Sequence, residues 1–377
     1  MLSDARKLGR FAQIYGLRKT AFKALSRQEP LPSFVRLPSF ASPTRRDVGV
    51  IGCGQFAFAT IGHELTKVQG NRFSACFDPR KDRASKFGHF YGCEVKGSPE
   101  EVIHDPSVKY IYIASNHASH SDYAVSALDA GKTVYVEKPI AVTHDQLAKL
   151  YAAQQRGQER LFFGYNRPFS GAIRELRKVC AGAAHEPMTL SCFVACHKLP
   201  SDHWYREPTE GTRICGNVGH WLDLMTHIRS WGDLEDSWQI TIAYSNVHQI
   251  DENMTLSLTS ERGSLVNITM TERHEPFEGI NEQLSFQMGP HMAHIDDFRS
   301  MTLRTAENFS RLRFWPKDVG HRSAINQPFQ ETRRDPQEVF RSSLLMLRIK
   351  DMVCARERFS AFSFDQAARA TFGHALD

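Results

Sequence analysis

The feature that most constrains this chain is Gly52-Cys53-Gly54-Gln55-Phe56-Ala57, a GxGxxA string between a strand-like run, DVGVIG, and a helix-like one, AFATIGHEL. Such strings arise often by chance, and it is the strand before and the helix after that give this one meaning. Gly52 permits a tight turn, Gly54 lets the backbone approach a pyrophosphate, and Ala57 lets the helix pack closely on the sheet. The first turn of that helix then offers free N–H groups to phosphates, with Gln55 and Phe56 in the same loop. A second strand-like run ends at Asp78, 21 residues beyond Ala57, where an acid accepts the ribose hydroxyls of an adenosine. An acid there repels a 2′-phosphate and favours NAD. Arg80, two residues on, is the group that would instead hold that phosphate, so NADP stays open.

The rest of the chain divides into two patterns. DVGVIG, RFSACFD, VKYIYIAS, KTVYVEK and RLFFGYN are strand-like, and helical stretches separate most of them. That alternation predicts a parallel sheet covered on both faces. Beyond about residue 185 the strands come closer together: TLSCFVACHK, WQITIAYSNV, MTLSLTSE, SLVNITMTE and EQLSFQMG. Alternating patterns joined by short turns such as TSERGSL predict an antiparallel sheet. Residues 335–357 have helical periodicity. The expected fold class is therefore α/β plus α+β. A Rossmann, doubly wound parallel sheet over 47–168 precedes an open, mostly antiparallel sheet with helices on one face over 169–377. A chain of 377 residues has length for two such cores.

Residues 1–46 stand outside that scheme. Leu8, Phe11, Ile14, Tyr15, Phe22 and Leu25 approximate one helix face, and Pro30, Pro32, Pro38 and Pro43 then suit a linker. A surface helix, a mitochondrial transit peptide and a membrane-surface helix all remain open for this basic, amphipathic start. The opening residues lack the apolar core of a signal peptide, and no apolar run reaches the length of a membrane span, so a cytoplasmic protein is expected. A net charge of +5 suits a phosphorylated cofactor and is too small to point to nucleic acid. The eight cysteines show no CxxC or finger spacing and read as free thiols, with no metal site expected.

Further along, KYIYIASNHASHSDYAVSALDAGKTVYVEKPIAVT, with Glu137-Lys138-Pro139 at the end of a strand, resembles the signature stretch of the glucose-fructose oxidoreductase/inositol dehydrogenase (Gfo/Idh/MocA) family. FFGYNRPFS resembles that family's sixth Rossmann strand and crossover, and GTRICGNVGHWLDLMTHI its catalytic helix. The resemblance runs from about Asp47 to the C-terminus. It implies hydride transfer between a nicotinamide and a hydroxyl or keto carbon of a sugar, nucleotide-sugar or cyclitol. It also implies an open sheet whose second face often carries subunit contacts, hence a homodimer or homotetramer.

Oxidising an alcohol leaves a proton for a base, and a nearby cation eases the alkoxide-like transition state. By the resemblance His220 is that base or acid, and Lys138 sits beside the reacting hydroxyl, with Pro139 expected cis. Asn217, His220, Asp223 and His227 are spaced to share one helix face, so His220 has polar company. The chain departs from the family at Gly216, where many members carry an acid four residues before the His; Asn217 or Asp223 would have to take its part. Ser115, Asn116 and His117 are expected over the cofactor together with Glu137, Lys138 and Pro139. Asn166 and Arg167 are expected at the substrate, Arg167 as an anchor for an anionic group. Trp204 and Tyr205, in HKLPSDHWYREPTEG, would stack on sugar C–H faces. Two other readings share the fold: a glycosidase that oxidises transiently with held NAD, and a non-catalytic dinucleotide-binding regulator. Intact Lys138 and His220 count against the regulator.

Overall fold

The computed structural model describes residues 2–37, 45–157, 159–245, 250–273 and 280–376, and Pro38, Pro43, Asn246 and Val247 lie outside them. The chain forms two compact units. One comprises residues 1–141, 145–164 and 321–334, and the other residues 142–144, 165–320 and 335–377. The division falls at Gly164, and residues 321–334 return to the first unit. That return is fixed within the unit by Tyr112, whose hydroxyl donates to Ile325 O at 2.7 Å, and by Gln327, whose amide donates to Phe163 O at 2.9 Å. No local sequence pattern announces such a return.

The first unit begins with α1 (Leu2–Tyr15) and α2 (Leu17–Arg27), broken at Gly16, whose φ of 79° a helix cannot continue through. The parallel sheet follows as β1 (Val48–Ile51), β2 (Phe73–Phe77), β3 (Glu94–Val95), β4 (Tyr110–Ile113), β5 (Thr133–Val136) and β6 (Leu161–Phe163), in spatial order β3-β2-β1-β4-β5-β6. Its connections are α3 (Gly62–Gln69, entered through a π-type turn over Ala57–Ile61), α4 (Lys81–Tyr91), α5 (Pro99–Ile103), α6 (His120–Asp129) and α7 (His144–Gly157). All four residues of β1 are buried, as helices on both faces require. The five strands expected from sequence are all present; β3, a two-residue exposed edge strand, has too little apolar content to be seen in advance.

The N-terminal segment is part of this core. Phe22 is buried against Phe90, with ring centroids 5.6 Å apart, and against His63 at 5.1 Å. Lys19 pairs with Glu64 at 3.3 Å, and Lys86 Nζ donates to Ser26 O and Gln28 O. Burying a Phe of this kind stabilises by roughly 1.5–3 kcal/mol. Of the amphipathic face read from sequence, Phe11, Ile14 and Phe22 are thus buried within the unit, while Leu8 stays exposed.

Among the described residues the second unit is built on nine strands: β7 (Met188–Ala195), β8 (Ser237–Tyr244), β9 (Met254–Ser260), β10 (Leu265–Thr271), β11 (Asn281–Met288), β12 (His291–Asp296), β13 (Ser300–Arg304), β14 (Phe309–Arg313) and β15 (Phe359–Ser363). Their order is β14-β13-β12-β11-β7-β10-β9-β8-β15, antiparallel throughout except for β7 beside β10. Burial alternates along β7, β8 and β11, so one face is covered and the other open. The unit's helices are α8 (Gly171–Cys180), α9 (Gly219–Arg229), α11 (Pro336–Ala355) and α12 (Phe364–Phe372), while α10 (His321–Asn326) belongs to the first unit. Among the described residues no helix is long and apolar enough to cross a membrane.

Candidate active site

The GxGxxA turn is shaped as the string predicts. Gly52 has φ 92°, and a Cβ built on it falls 2.5 Å from the backbone of Ala114 and Ser115, so no other residue fits there. A Cβ on Gly54 would meet nothing within 4 Å: the ground above the loop is open. Ala57 is buried, Phe56 half-buried against His321, and Gln55 exposed. Asp78 stands directly after β2 and fixes the loop. Its Oδ2 accepts from the Cys53 N–H at 2.7 Å, and its Oδ1 from the Arg80 N–H at 2.9 Å. A carboxylate has further acceptor sites for ribose hydroxyls. The Arg80 side chain is exposed and paired with Asp82 at 2.6 Å.

Strand β5 delivers Glu137-Lys138-Pro139, with a cis peptide bond between the last two. Glu137 is buried; the Tyr135 hydroxyl donates to its Oε1 at 2.7 Å and the Lys138 N–H to its Oε2 at 3.3 Å. Burial pushes its carboxyl up to about 7, against the pull of Tyr135 and the Lys138 charge. A Cβ at Gly164 would lie 2.7 Å from that carboxylate, so the chain leaving β6 can pass it only as glycine. Lys138 is half-buried.

The turn has a keeper in a residue whose place in the sequence reads equally as a group over the cofactor or as a helix cap. His120, fully buried at the start of α6, places Nδ1 2.8 Å from Pro139 O and Nε2 3.2 Å from Ser115 O. Burial pushes it down to about 4, so near neutrality the ring carries one N–H, donates it to one of these two carbonyls and packs its other nitrogen beside the second, between the end of β4 and the turn. Ser115, Asn116 and His117 follow β4 directly. Asn116 is exposed with its Oδ1 accepting from Ser119 Oγ at 2.7 Å, and His117 is buried 5.9 Å from the His120 ring. The only advance signal for His120 was a histidine at a helix start, which also fits a cap.

In the second unit a π-type turn over Ile214–Val218 leads into α9. His220, on the first turn of α9, is half-buried with its ring edge-on to Tyr165 at 6.1 Å. Asn217 Oδ1 is buried and accepts no hydrogen bond among the described residues. Asp223 is fully buried and accepts from Ser342 of α11 at 3.3 Å; His227 pairs with Glu338 of the same helix at 2.8 Å. The single polar face read from sequence is therefore spread over two environments, because the wider π-type turn rotates Asn217 relative to a regular helix. Over Gly216 lies Tyr205, half-exposed, its ring 4.4 Å from that of Trp204, which is 40% exposed.

Asn166 is buried, its amide donating to Val319 O at 2.5 Å. Arg167 is also buried. It pairs with Glu282, stacks on Trp221 at 4.7 Å and reaches Asn166 Oδ1 at 3.3 Å. Its charge is thus already met inside the unit, an arrangement that no local sequence pattern could disclose, since Glu282 lies far along the chain. Among the described residues no group of His, Cys, Asp or Glu has the geometry to hold a metal.

Residues 46–165 match the model of the Gfo/Idh/MocA oxidoreductase family, described as an NAD-binding Rossmann fold. The chain is 32% identical over 158 residues to inositol 2-dehydrogenase of Ralstonia nicotianae, which spans 41% of this chain and 46% of that enzyme. It is 32% identical over 135 residues to inositol 2-dehydrogenase 2 of Saccharopolyspora erythraea, spanning 35% and 40% respectively. The chain thus matches slightly under half the length of these curated relatives. Among solved structures, GenD2 from gentamicin A biosynthesis, in complex with NAD, superposes with a TM-score of 0.69 at 16% identity, covering 87% of this chain and 99% of that one. An NAD binding oxidoreductase from Klebsiella pneumoniae gives 0.68 at 17% identity, covering 85% and 99%. At such identities the likeness shows the fold.

Proposed function

Residues 46–165 match the model of the Gfo/Idh/MocA oxidoreductase family, and on that premise we propose that the protein is an NAD-dependent oxidoreductase acting on a secondary hydroxyl of a sugar, nucleotide-sugar or cyclitol. The observation that carries the reading is the open ground above Gly54, beside a loop whose Cys53 N–H is already fixed by Asp78. A dinucleotide pyrophosphate lies over such a loop, and Asp78 keeps acceptor capacity for the ribose. The pairing of Arg80 with Asp82 supports NAD over NADP. Bound NAD supplies the acceptor for hydride.

The chain's own side chains manage the proton. His220 takes it from the substrate hydroxyl, and the Lys138 ammonium offsets the negative charge that develops on that oxygen. His120 and Glu137 position Lys138 through the turn on either side of it. The buried acceptor of Asn217, one helical turn from His220, supports a substrate with a further hydroxyl to donate. Trp204 and Tyr205 supply aromatic surface of the kind sugars stack on. The relatives named inositol 2-dehydrogenase support a cyclitol as the first class to try.

The test is a fluorescence titration with NADH and NADPH, followed by a polyol and sugar panel read at the nicotinamide absorbance. NADH preference with turnover that Lys138→Ala and His220→Ala each lower by at least 100-fold is the expected result. Failure to bind either dinucleotide overturns the proposal.

A further inference from the structure

The segment that carries Trp204 and Tyr205 has little apolar grip of its own. No residue of the turn Trp204–Arg206 is buried, and in the next turn, Pro208–Glu210, only Glu210 is. Packing alone gives such exposed turns little purchase. Yet Tyr205 is laid closely on Gly216, at the turn that leads to His220. What fixes it there comes from the joined ends of β9 and β10.

Met254 opposes Met270 in the β9–β10 ladder, so two steps further out Glu252 opposes Glu272 on the same, covered face. Asn253 keeps that register beyond the strands. Its Oδ1 accepts from Thr271 Oγ1 at 2.8 Å and from the Glu272 N–H at 3.2 Å. Both carboxylates are buried. Two like charges facing each other out of water are costly unless cations meet them, and both cations come from the aromatic segment. Arg206, next to Tyr205, pairs with Glu252 and also donates from Nε to Pro200 O at 2.9 Å. Arg213 pairs with Glu272 at 3.1 Å and donates to His197 O at 3.1 Å. Burial, then the facing Glu252, raise the Glu272 carboxyl, and the Leu199 N–H and the Arg213 charge oppose them. A third carboxylate of the same loop, Asp251, accepts from the Arg213 N–H at 3.0 Å. That bond closes the turn at Gly211-Thr212, with φ values of 79° and 59°, the second one that a β-branched residue rarely adopts.

We propose that Glu252 and Glu272 are positioning residues for substrate binding: through Arg206 and Arg213 they buckle the segment Leu199–Arg213 onto the sheet and hold Trp204 and Tyr205 as a preformed wall on the His220 turn. The use of that wall rests on the sugar-site reading above; the buckle itself does not. With the buckle closed, a polyol meets aromatic faces already in place. With it open, the substrate has to order the segment at each binding event, which costs affinity and is regained at saturation. The signature is a raised KM with kcat kept. A pair that served stability alone would lower the active fraction, and kcat with it, at unchanged KM.

The full-length protein and its Glu252→Gln, Glu272→Gln, Arg206→Gln and Arg206→Lys variants, with the Glu252→Gln/Arg206→Gln double variant, are compared in two ways. Hydrogen–deuterium exchange reads the segment, and steady-state oxidation of myo-inositol, or of the polyol that the parent oxidises best, reads the site. In each single Gln variant, peptides spanning Leu199–Arg213 should exchange about tenfold faster while β8 stays as slow as in the parent. The double variant should be no faster than the faster of its two singles, because both lose the same contact. KM should rise about tenfold with kcat kept within about threefold. Arg206→Lys keeps the charge on Glu252 and should recover most of the KM. If the buried Gln variants fail to fold, with β8 exchanging as fast as the segment, Arg206→Gln at the half-buried partner decides alone. Unchanged exchange of the segment in Arg206→Gln overturns the buckle. Faster exchange with KM unchanged, or a loss confined to kcat, overturns its service to substrate. A parent that oxidises no polyol sinks the hydride-transfer reading and the substrate role with it, while the exchange still decides the buckle.

Discussion

The ring of Tyr205 stands where a side chain at Gly216 would have to begin: a Cβ built on Gly216 falls 2.5 Å from Tyr205 Cε2 and 3.0 Å from Cδ2. The acid missing four residues before His220 is therefore replaced by an aromatic face, laid on the turn that leads into α9. Gly216→Asp puts the two in conflict. Tyr205 is half-exposed and can swing out, so thermal melts should show a loss of only about 1 kcal/mol. Turnover should fall more than tenfold, because the Trp204–Tyr205 segment leaves the His220 helix. Adding Tyr205→Ala should restore the stability but not the turnover. Full activity in Gly216→Asp would remove Tyr205 from the site.

Arg80 and Asp82 make the second case. Both are exposed, and the pair holds the Arg80 guanidinium on Asp82. Asp82→Ala frees that guanidinium for a 2′-phosphate. NADPH affinity should rise several-fold with NADH affinity changed less than twofold, and added salt should erase the gain, as it does for exposed charges. Equal affinities in the variant and the parent would mean that Arg80 does not reach the phosphate position.

How much of this was legible in the sequence depended on range. The GxGxxA turn, Asp78 and the Glu137-Lys138-Pro139 corner are local, and each stands where spacing and resemblance put it. The β12–β14 meander was missed because its first turn, Asp297-Phe298, takes positive φ at both positions without a Gly or Asn. Phe298 is fully buried, and Asp297 is held by Lys317 at 2.6 Å, so tertiary contacts stabilise what local chemistry disfavours. The pairing of Arg167 with Glu282 and the return of residues 321–334 are likewise long-range, and no window of sequence contains both partners. The π-type turn at Ile214–Val218 separated Asn217 from Asp223, a change of phase that a regular 3.6-residue period hides.

Glu137 gives a pH test. Its carboxyl titrates at about 7 in the folded chain, against 4.5 for an ordinary glutamate, because it is buried. Between those values the folded chain keeps a proton that the unfolded chain has released, so stability falls as pH rises through that window. The full difference corresponds to on the order of 3 kcal/mol. Glu137→Gln should flatten the dependence: urea unfolding at pH 8 should show the variant gaining on the parent relative to pH 5. A parallel pH dependence in both proteins would show that Glu137 is not the titrating group. NADH affinity measured over the same range should lose an inflection near pH 7 in the variant, if the charge beside Lys138 is felt by the cofactor.

Phe22 decides what the N-terminal segment is. Its ring is 6% exposed and packs on Phe90 and His63, while Leu17, on the same helix, is 81% exposed. The polar contact beside it is strong. Burial pushes Glu64 up, but the His63 hydrogen bond and the Lys19 charge outweigh that and hold the carboxyl at about 2. That contribution is present above pH 4.5 and is lost only as pH falls toward 2. Phe22→Ala should therefore cost about 3 kcal/mol in denaturant unfolding at neutral pH, the range for a buried Phe truncation. Leu17→Ala should cost under about 0.5 kcal/mol, as a surface change does. That contrast would make α1 and α2 a working part of the Rossmann unit, whose removal uncovers Phe58 and Phe90. A cost below about 1 kcal/mol for Phe22→Ala would mean that the segment is not docked in solution, and would favour a targeting or membrane-surface role.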